Sequence, residues 1–327
     1  MKRIATLTLF VSLLATAAFA LDGSWTASLD EKHPGRIYMS LHQGRNHNTG
    51  TTFTLASFAG LSTPQINAAT MTPVQFHMRR EAGTVTFEGT FRNGNGAGQF
   101  TFAADRSYID RIRALGLEFD LEKHRRRSRE RTEEEDLFTL ALHDVSTAFI
   151  KSMIAEGYRV SLEKYLTMRI FHITPEYIRE MRSLGFNNID AEELVATKIH
   201  KVTPQFVREM RAAGWDLPLE DLQSSAIHGA TPAFAEEMRK LGYANLSHDD
   251  LVSFRIHRVN AEFIESLRKL GYRNVSADDL VSMRIHRVTP EFIRELEAAG
   301  YANVPVDKLV SMRIHKIDAQ YLKKMRD

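Results

Sequence analysis

The stretch SMRIHRVTPEFIREL, Ser282 to Leu296, holds the end of one helix and the start of the next, and the chain repeats it. SFRIHRVNAEFIESL begins at Ser253 and SMRIHKIDAQYLKKM at Ser311. Thr289 stands where a helix needs a cap: its side-chain oxygen can accept a first-turn N–H that lacks an intrahelical partner, worth about 1 kcal/mol. Pro290 follows at the first helical position, where a missing N–H costs nothing. Phe292, Ile293 and Leu296 then form one apolar stripe at i+3, i+4 and i+7 from the cap. Val288 and Ile293 suit a hydrophobic staple across the helix start, and Gly300 supplies a left-handed stop.

Outward from this segment, the cap position is taken by Asp105, Ser146, Thr174, Thr203, Thr231, Asn260, Thr289 and Asp318, with successive spacings of 41, 28, 29, 28, 29, 29 and 29. An aromatic lies three residues after every cap. A glycine lies eleven after each of the first seven, from Gly116 to Gly300, and an apolar residue follows it. A second helix is predicted in each unit, capped at Ser161, Asp190, Ser247 or Ser276 and running to the RIH segment. Two helices of about ten residues cannot bury their stripes alone, so residues 105–327 are expected to stack as an α-solenoid of 28–29-residue two-helix repeats. The long first spacing contains a charged insertion, EKHRRRSRERTE, at residues 122–133. Opposite charges in series there read as a solvated segment.

Residues 21–104 follow another period. They alternate every second residue and are rich in Thr, Phe, Val and Gly, which is β-structure. Strands are expected at SWTASL from Ser24, RIYMSLHQ from Arg36, TTFTLAS from Thr51, PVQFHMRR from Pro73, TVTFEGTF from Thr84 and GQFTFAA from Gly98. The last three make a meander, joined by REAG and by a longer RNGNGA connection. The fold class is therefore α+β: a small antiparallel β-domain, sandwich or open barrel, followed by the helical array.

Residues 1–20 show a basic start at Lys2 and Arg3, an apolar run, and Ala18-Phe19-Ala20, the pattern of a secretory signal peptide. No later run approaches the roughly 18 apolar residues of a membrane helix, so no membrane insertion is expected once the signal is removed. The chain has no cysteine, which excludes disulfides. Without Lys2 and Arg3 the 43 basic residues become 41, equal to the 41 acidic ones. This balance argues against a nucleic-acid partner, which would require excess cations to neutralise phosphates.

Three residues before the caps stand His143, His200, His228, His257, His286 and His315; one unit has Phe171 there instead. A metal or catalytic ladder is disfavoured, because equivalent residues on packed helices stand about 8–10 Å apart and no acid or cysteine recurs beside them. The favoured reading is a structural junction: in the last turn of a helix an imidazole can donate to a carbonyl while its ring packs between units. Beside the histidines run Arg255, Arg258, Arg284, Arg287, Arg313 and Lys316, a basic stripe. Such a stripe suits a peptide or an acidic polymer, but the favoured reading is that it pairs with the nearby Asp249, Asp250, Asp278, Asp279, Glu291 and Glu295 on a solvated face. The β-domain histidines His33, His42, His47 and His77 lack ligand spacing. There is no HExxH, no GxSxG and no phosphate loop, and no cofactor is implied.

The hairpin ending NGNGAGQFTFAAD, the helix SYIDRIRALG and the RIHRVTPEFIREL units resemble an uncharacterised group of secreted bacterial proteins. Similar repeats accompany membrane-embedded zinc peptidases of the β-lactam-sensor type, whose HExxH domain this sequence lacks. The resemblance implies an exported sensory or interaction module. The expected function is non-enzymatic binding of a protein or peptide in the cell envelope, in the periplasm or outside the cell. The alternative is an envelope enzyme or carbohydrate-binding protein with its site in the β-domain.

Overall fold

A computed structural model describes residues 21–30, 32–43, 47–121 and 132–326. The expected signal peptide and all but the last two residues of the charged insertion lie outside the described residues. The chain divides into two compact units, Met1–Pro175 and Glu176–Asp327.

The first unit contains the strands β1 (Leu21–Leu29), β2 (Arg36–Gln43), β3 (His47–Thr54), β4 (Thr72–Arg80), β5 (Gly83–Arg92) and β6 (Asn95–Ala104). They form one antiparallel sheet in the order β3-β2-β1-β6-β5-β4, so the β-domain is a single layer and not a sandwich. The sheet curls, because Phe58 on the β3–β4 connection packs against Phe53 of one edge strand at 5.4 Å and Phe76 of the other at 5.3 Å. Trp25, Phe87, Phe91 and Phe100 fill the concave side. Trp25 lies opposite Gly98, and its indole N–H donates to the carbonyls of Glu88 at 3.2 Å and Gln99 at 3.0 Å. A Cβ on Gly89 would stand 2.8 Å from the Trp25 ring, so that bare backbone gives the indole its room. The β5–β6 connection is shorter than expected. Arg92 pairs with Asn95, and Asn93 and Gly94 turn the chain with φ of 48° and 80°, the two-residue hairpin that an Asn-Gly pair favours.

A short helix α1 (Thr63–Ile66) lies in the β3–β4 connection. The helical array then opens with α2 (Ser107–Ala114), α3 (Glu133–Leu142), α4 (Thr147–Ala155) and α5 (Leu162–Ile170). Helix α2 starts one residue later than the pattern implied. Asp105 still serves its first turn, accepting from the Ser107 N–H at 3.0 Å. Thr132, from the end of the insertion, caps α3 in a reciprocal box with Glu135. Phe138 of α3 stacks on Phe100 of the sheet at 5.4 Å and meets Phe102 edge-on. The β4–β5 turn grips the helices too: the Glu81 carboxylate accepts from the Thr147 N–H at 3.1 Å, and the Glu81 carbonyl accepts from Arg111 at 2.8 Å.

The second unit continues the alternation. Its first helices are α6 (Pro175–Ser183), α8 (Pro204–Ala212), α10 (Pro232–Lys240), α12 (Ala261–Lys269), α14 (Pro290–Ala298) and α16 (Ala319–Arg326). Its second helices are α7 (Ala191–Ile199), α9 (Leu219–His228), α11 (His248–Ile256), α13 (Ala277–Ile285) and α15 (Val306–Ile314). Five caps accept from the expected aromatic's N–H: Thr203, Thr231, Asn260, Thr289 and Asp318 bond Phe206, Phe234, Phe263, Phe292 and Tyr321. Second helices pack on second helices and first on first, burying Leu251, Phe254, Leu267, Leu280, Met283 and Leu296 in one cluster that extends from Ala230 to Leu309. Val202, Val207, Met210 and Leu222 form a separate cluster, and Trp215 touches both. The phenol oxygens of Tyr243 and Tyr272 tie successive repeats together by donating to the carbonyls of Val275 and Val304, at 2.9 and 2.7 Å.

Candidate functional site

The recurring histidine sits at the C-terminus of each second helix. His143, His200, His257, His286 and His315 are the closing residues, Phe171 closes α5, and α9 runs through His228 to Gly229. The next residue adopts a left-handed conformation in every unit. At the His286 joint the Arg287 N–H returns to the Arg284 carbonyl at 3.2 Å and the Val288 N–H to Met283 at 2.8 Å, which is the Schellman arrangement.

What the joint uses is the histidine carbonyl. The expected donation from the ring does not occur: among the described residues none of the six junction imidazoles makes a side-chain hydrogen bond. Instead the arginine two residues before the residue that closes the next second helix reaches back. Nε of Arg169, Arg255 and Arg284 donates to the carbonyls of His143, His228 and His257, at 3.0, 3.2 and 3.0 Å. The same guanidinium lies over the ring of the intervening first helix. Arg169 covers Phe149, Arg255 covers Phe234, Arg284 covers Phe263 and Arg313 covers Phe292, each at 4.9 Å from the ring centre. One planar cation thus satisfies a helix-end carbonyl and covers an aromatic, which a lysine ammonium does less well.

In the second unit, two second helices lack this guanidinium. Lys198 replaces it in α7 and stands 3.7 Å from the centre of the Tyr177 ring, with burial lowering its affinity for a proton. Ala226 replaces it in α9, leaving Phe206 less buried than Phe234, Phe263 and Phe292. Both helices carry a buried hydroxyl at the preceding position. Thr197 bonds the Tyr177 hydroxyl at 2.6 Å, and Ser225 bonds Nε2 of His248 at 2.7 Å. His248 also approaches Asp249 at 3.5 Å, so a Ser–His–Asp sequence of contacts exists here. It cannot act as a nucleophilic triad, because Ser225 is fully buried and Asp249 almost wholly exposed. It is an interior polar link between α9 and α11.

The basic stripe therefore divides. Arg255, Arg284 and Arg313 lie over rings. Arg258, Arg287 and Lys316, with Lys201, are exposed, make no ion pair among the described residues, and occupy the left-handed position with φ of 58°, 57°, 57° and 60°. Of the acids expected to pair with the stripe, Asp250 and Asp279 bond their cap serines and Glu291 pairs with Arg294. Beside those cations stands an apolar row absent from the sequence reading. Ile199, Ile227, Ile256, Ile285 and Ile314, the residues before each histidine, are 49 to 53% exposed. The signal for them in the sequence is the isoleucine that recurs directly before each of these histidines, outside the buried stripe.

Other candidates are weaker. A shallow groove of about 280 Å³ lies beside Trp215, Ala235 and Tyr243, its charged rim closed on itself by Glu236 and Arg239, paired twice at 2.7 Å. Among the described residues no three metal-ligating side chains converge, and no single helix is long and apolar enough to cross a membrane. In the first unit, Asp144 bridges Arg80 at 3.3 Å and Arg169 at 3.1 Å. Burial, with Arg169 and His172 nearby, lowers the His143 pKa to about 4. Comparison with protein-family models, curated proteins and solved structures returned no match.

The joint predicts two outcomes. Ala226→Arg should install the missing guanidinium over Phe206 and within reach of the His200 carbonyl, raising stability by about 1 kcal/mol in denaturant unfolding; an unchanged or lower midpoint contradicts the role given to this cation. His143 is held neutral down to about 4, while an unfolded histidine takes its proton near 6.5, so unfolding takes up a proton between those values. Its contribution is complete above about 6.5 and is lost as pH falls toward 4. Chemical denaturation at pH 7 and pH 5 should show a smaller drop in His143→Phe than in the parent.

Proposed function

We propose that the chain is a non-enzymatic interaction module of the cell envelope that binds a protein or peptide through its helical repeats. One observation carries this reading: a row of half-exposed isoleucines at a single register position of successive packed helices. Isolated exposed apolar residues are ordinary on any surface, but a periodic series of them on adjoining helices makes a continuous apolar edge. Repeat arrays use such edges as extended binding surfaces. The concave side of the β-sheet is filled by Trp25, Phe87, Phe91 and Phe100, which favours the sheet as a scaffold over the sheet as a ligand site. Export rests on the signal-like pattern of residues 1–20.

A photo-crosslinking residue placed at Ile256 in the producing cell tests the proposal, with the same residue at Tyr38, exposed on the sheet, as comparison. Crosslinks to a second polypeptide at position 256 and few at position 38 are expected. Crosslinks at position 38 alone, or small-molecule turnover by the purified chain, would point to the β-domain.

A further inference from the structure

We infer that the exposed isoleucines and the left-handed cations of the second unit form one docking edge whose partner is an acidic amphipathic helix with aliphatic residues at heptad spacing. This rests on the interaction reading above and names the class of partner.

The fold does not account for these side chains. The left-handed position after each histidine is one that glycine occupies at little cost, and Gly229 does so, as do the residues ending the first helices from Gly116 to Gly300. At Lys201, Arg258, Arg287 and Lys316 the chain instead holds long cations in a conformation L-residues disfavour. None of the four gains an ion pair among the described residues. A cation near a helix C-terminus does favour the local dipole, but Arg255, Arg284 and Arg313 already sit in the last turn of α11, α13 and α15. The isoleucines likewise contribute little to the core, since half of each remains in water.

Three features select the occupant. Equivalent residues on neighbouring packed helices recur at about 8–10 Å, and seven residues of an α-helix advance about 10.5 Å, so a helix laid along the edge meets one isoleucine per heptad. The exposed cations beside the row call for carboxylates flanking the partner's apolar stripe. They also disfavour a second copy of this chain on the same edge, which would set cation against cation. The nearest acids in sequence to Arg258, Arg287 and Lys316 are Glu262, Glu291 and Asp318; Glu291 is held by Arg294 at 3.2 Å and Asp318 accepts from the Tyr321 N–H at 2.8 Å.

The test uses the full chain and a labelled four-heptad helical peptide with leucine at the a and d positions and glutamate at e and g; a lysine version is the control. Fluorescence anisotropy should show saturable binding of the glutamate peptide that weakens with salt, and none of the lysine peptide. The double variant Ile256→Ser, Ile285→Ser should weaken binding at least tenfold. The double variant Arg258→Gly, Arg287→Gly should weaken it similarly while raising the melting temperature, a combination that loss of folding cannot produce. Equal binding of both peptides, retained affinity in either variant, or self-association of the chain abolished by the serine variant would overturn the assignment. Crosslinking to a partner at Ile256 without affinity for the acidic peptide would remove this partner class and leave the interaction reading intact.

Discussion

The arginine that lies over one helix's aromatic ring and donates to the carbonyl closing the helix before it is the contact on which the repeats depend. A helix end leaves carbonyls without partners, and a short helix has few other interactions to offset that loss. In this chain each second helix is only nine or ten residues long. Placing the donor on the next second helix makes the termination of one repeat conditional on the arrival of another. The 4.9 Å stacking distance recurs at Phe149, Phe234, Phe263 and Phe292, which marks the contact as a feature of the repeat and not of one unit.

The exceptions show what the contact supplies. Ala226 leaves the α7–α9 joint without a guanidinium; Val202, Val207, Met210 and Leu222 there form a cluster apart from that of the later repeats, with Trp215 touching both, and a buried Ser225–His248 bond joins α9 to α11. Where Lys198 stands in for arginine, a Thr197–Tyr177 hydroxyl bond accompanies it. A neutral buried hydrogen bond contributes about 1 kcal/mol, comparable to a stacked cation. The middle of the array is thus held by different chemistry from its later repeats.

Local features were legible in the sequence and distant ones were not. Caps such as Thr289, the glycine stops and the buried Phe292 depend on neighbours within a turn, so spacing alone reveals them. The β5–β6 connection was harder, because RNGNGA offers several turn residues and only pairing of Arg92 with Asn95 selects Asn93 and Gly94. Sheet curvature depends on Phe58 meeting rings from both edge strands, which alternation does not encode. The division of the basic stripe was hidden because the partner of Arg284 is a backbone oxygen 27 residues away, and backbone atoms leave no trace in composition. The isoleucine row was hidden for the opposite reason: an apolar residue in a helical repeat reads as core until its exposure is seen.

The proposed docking edge consists of what the joint leaves over. Arg255, Arg284 and Arg313 are committed to structure, while Ile256, Ile285 and Ile314 with Arg258, Arg287 and Lys316 face solvent at the same joints. The central claim is that the guanidinium contact couples successive repeats, and amide hydrogen exchange of the intact chain tests it most directly. The account predicts that the interior segment α7 to α9, which lacks the arginine, exchanges faster than α11 to α13, where Arg255 and Arg284 are in place. Uniform protection across these segments, or greater protection in α7 to α9, would contradict it.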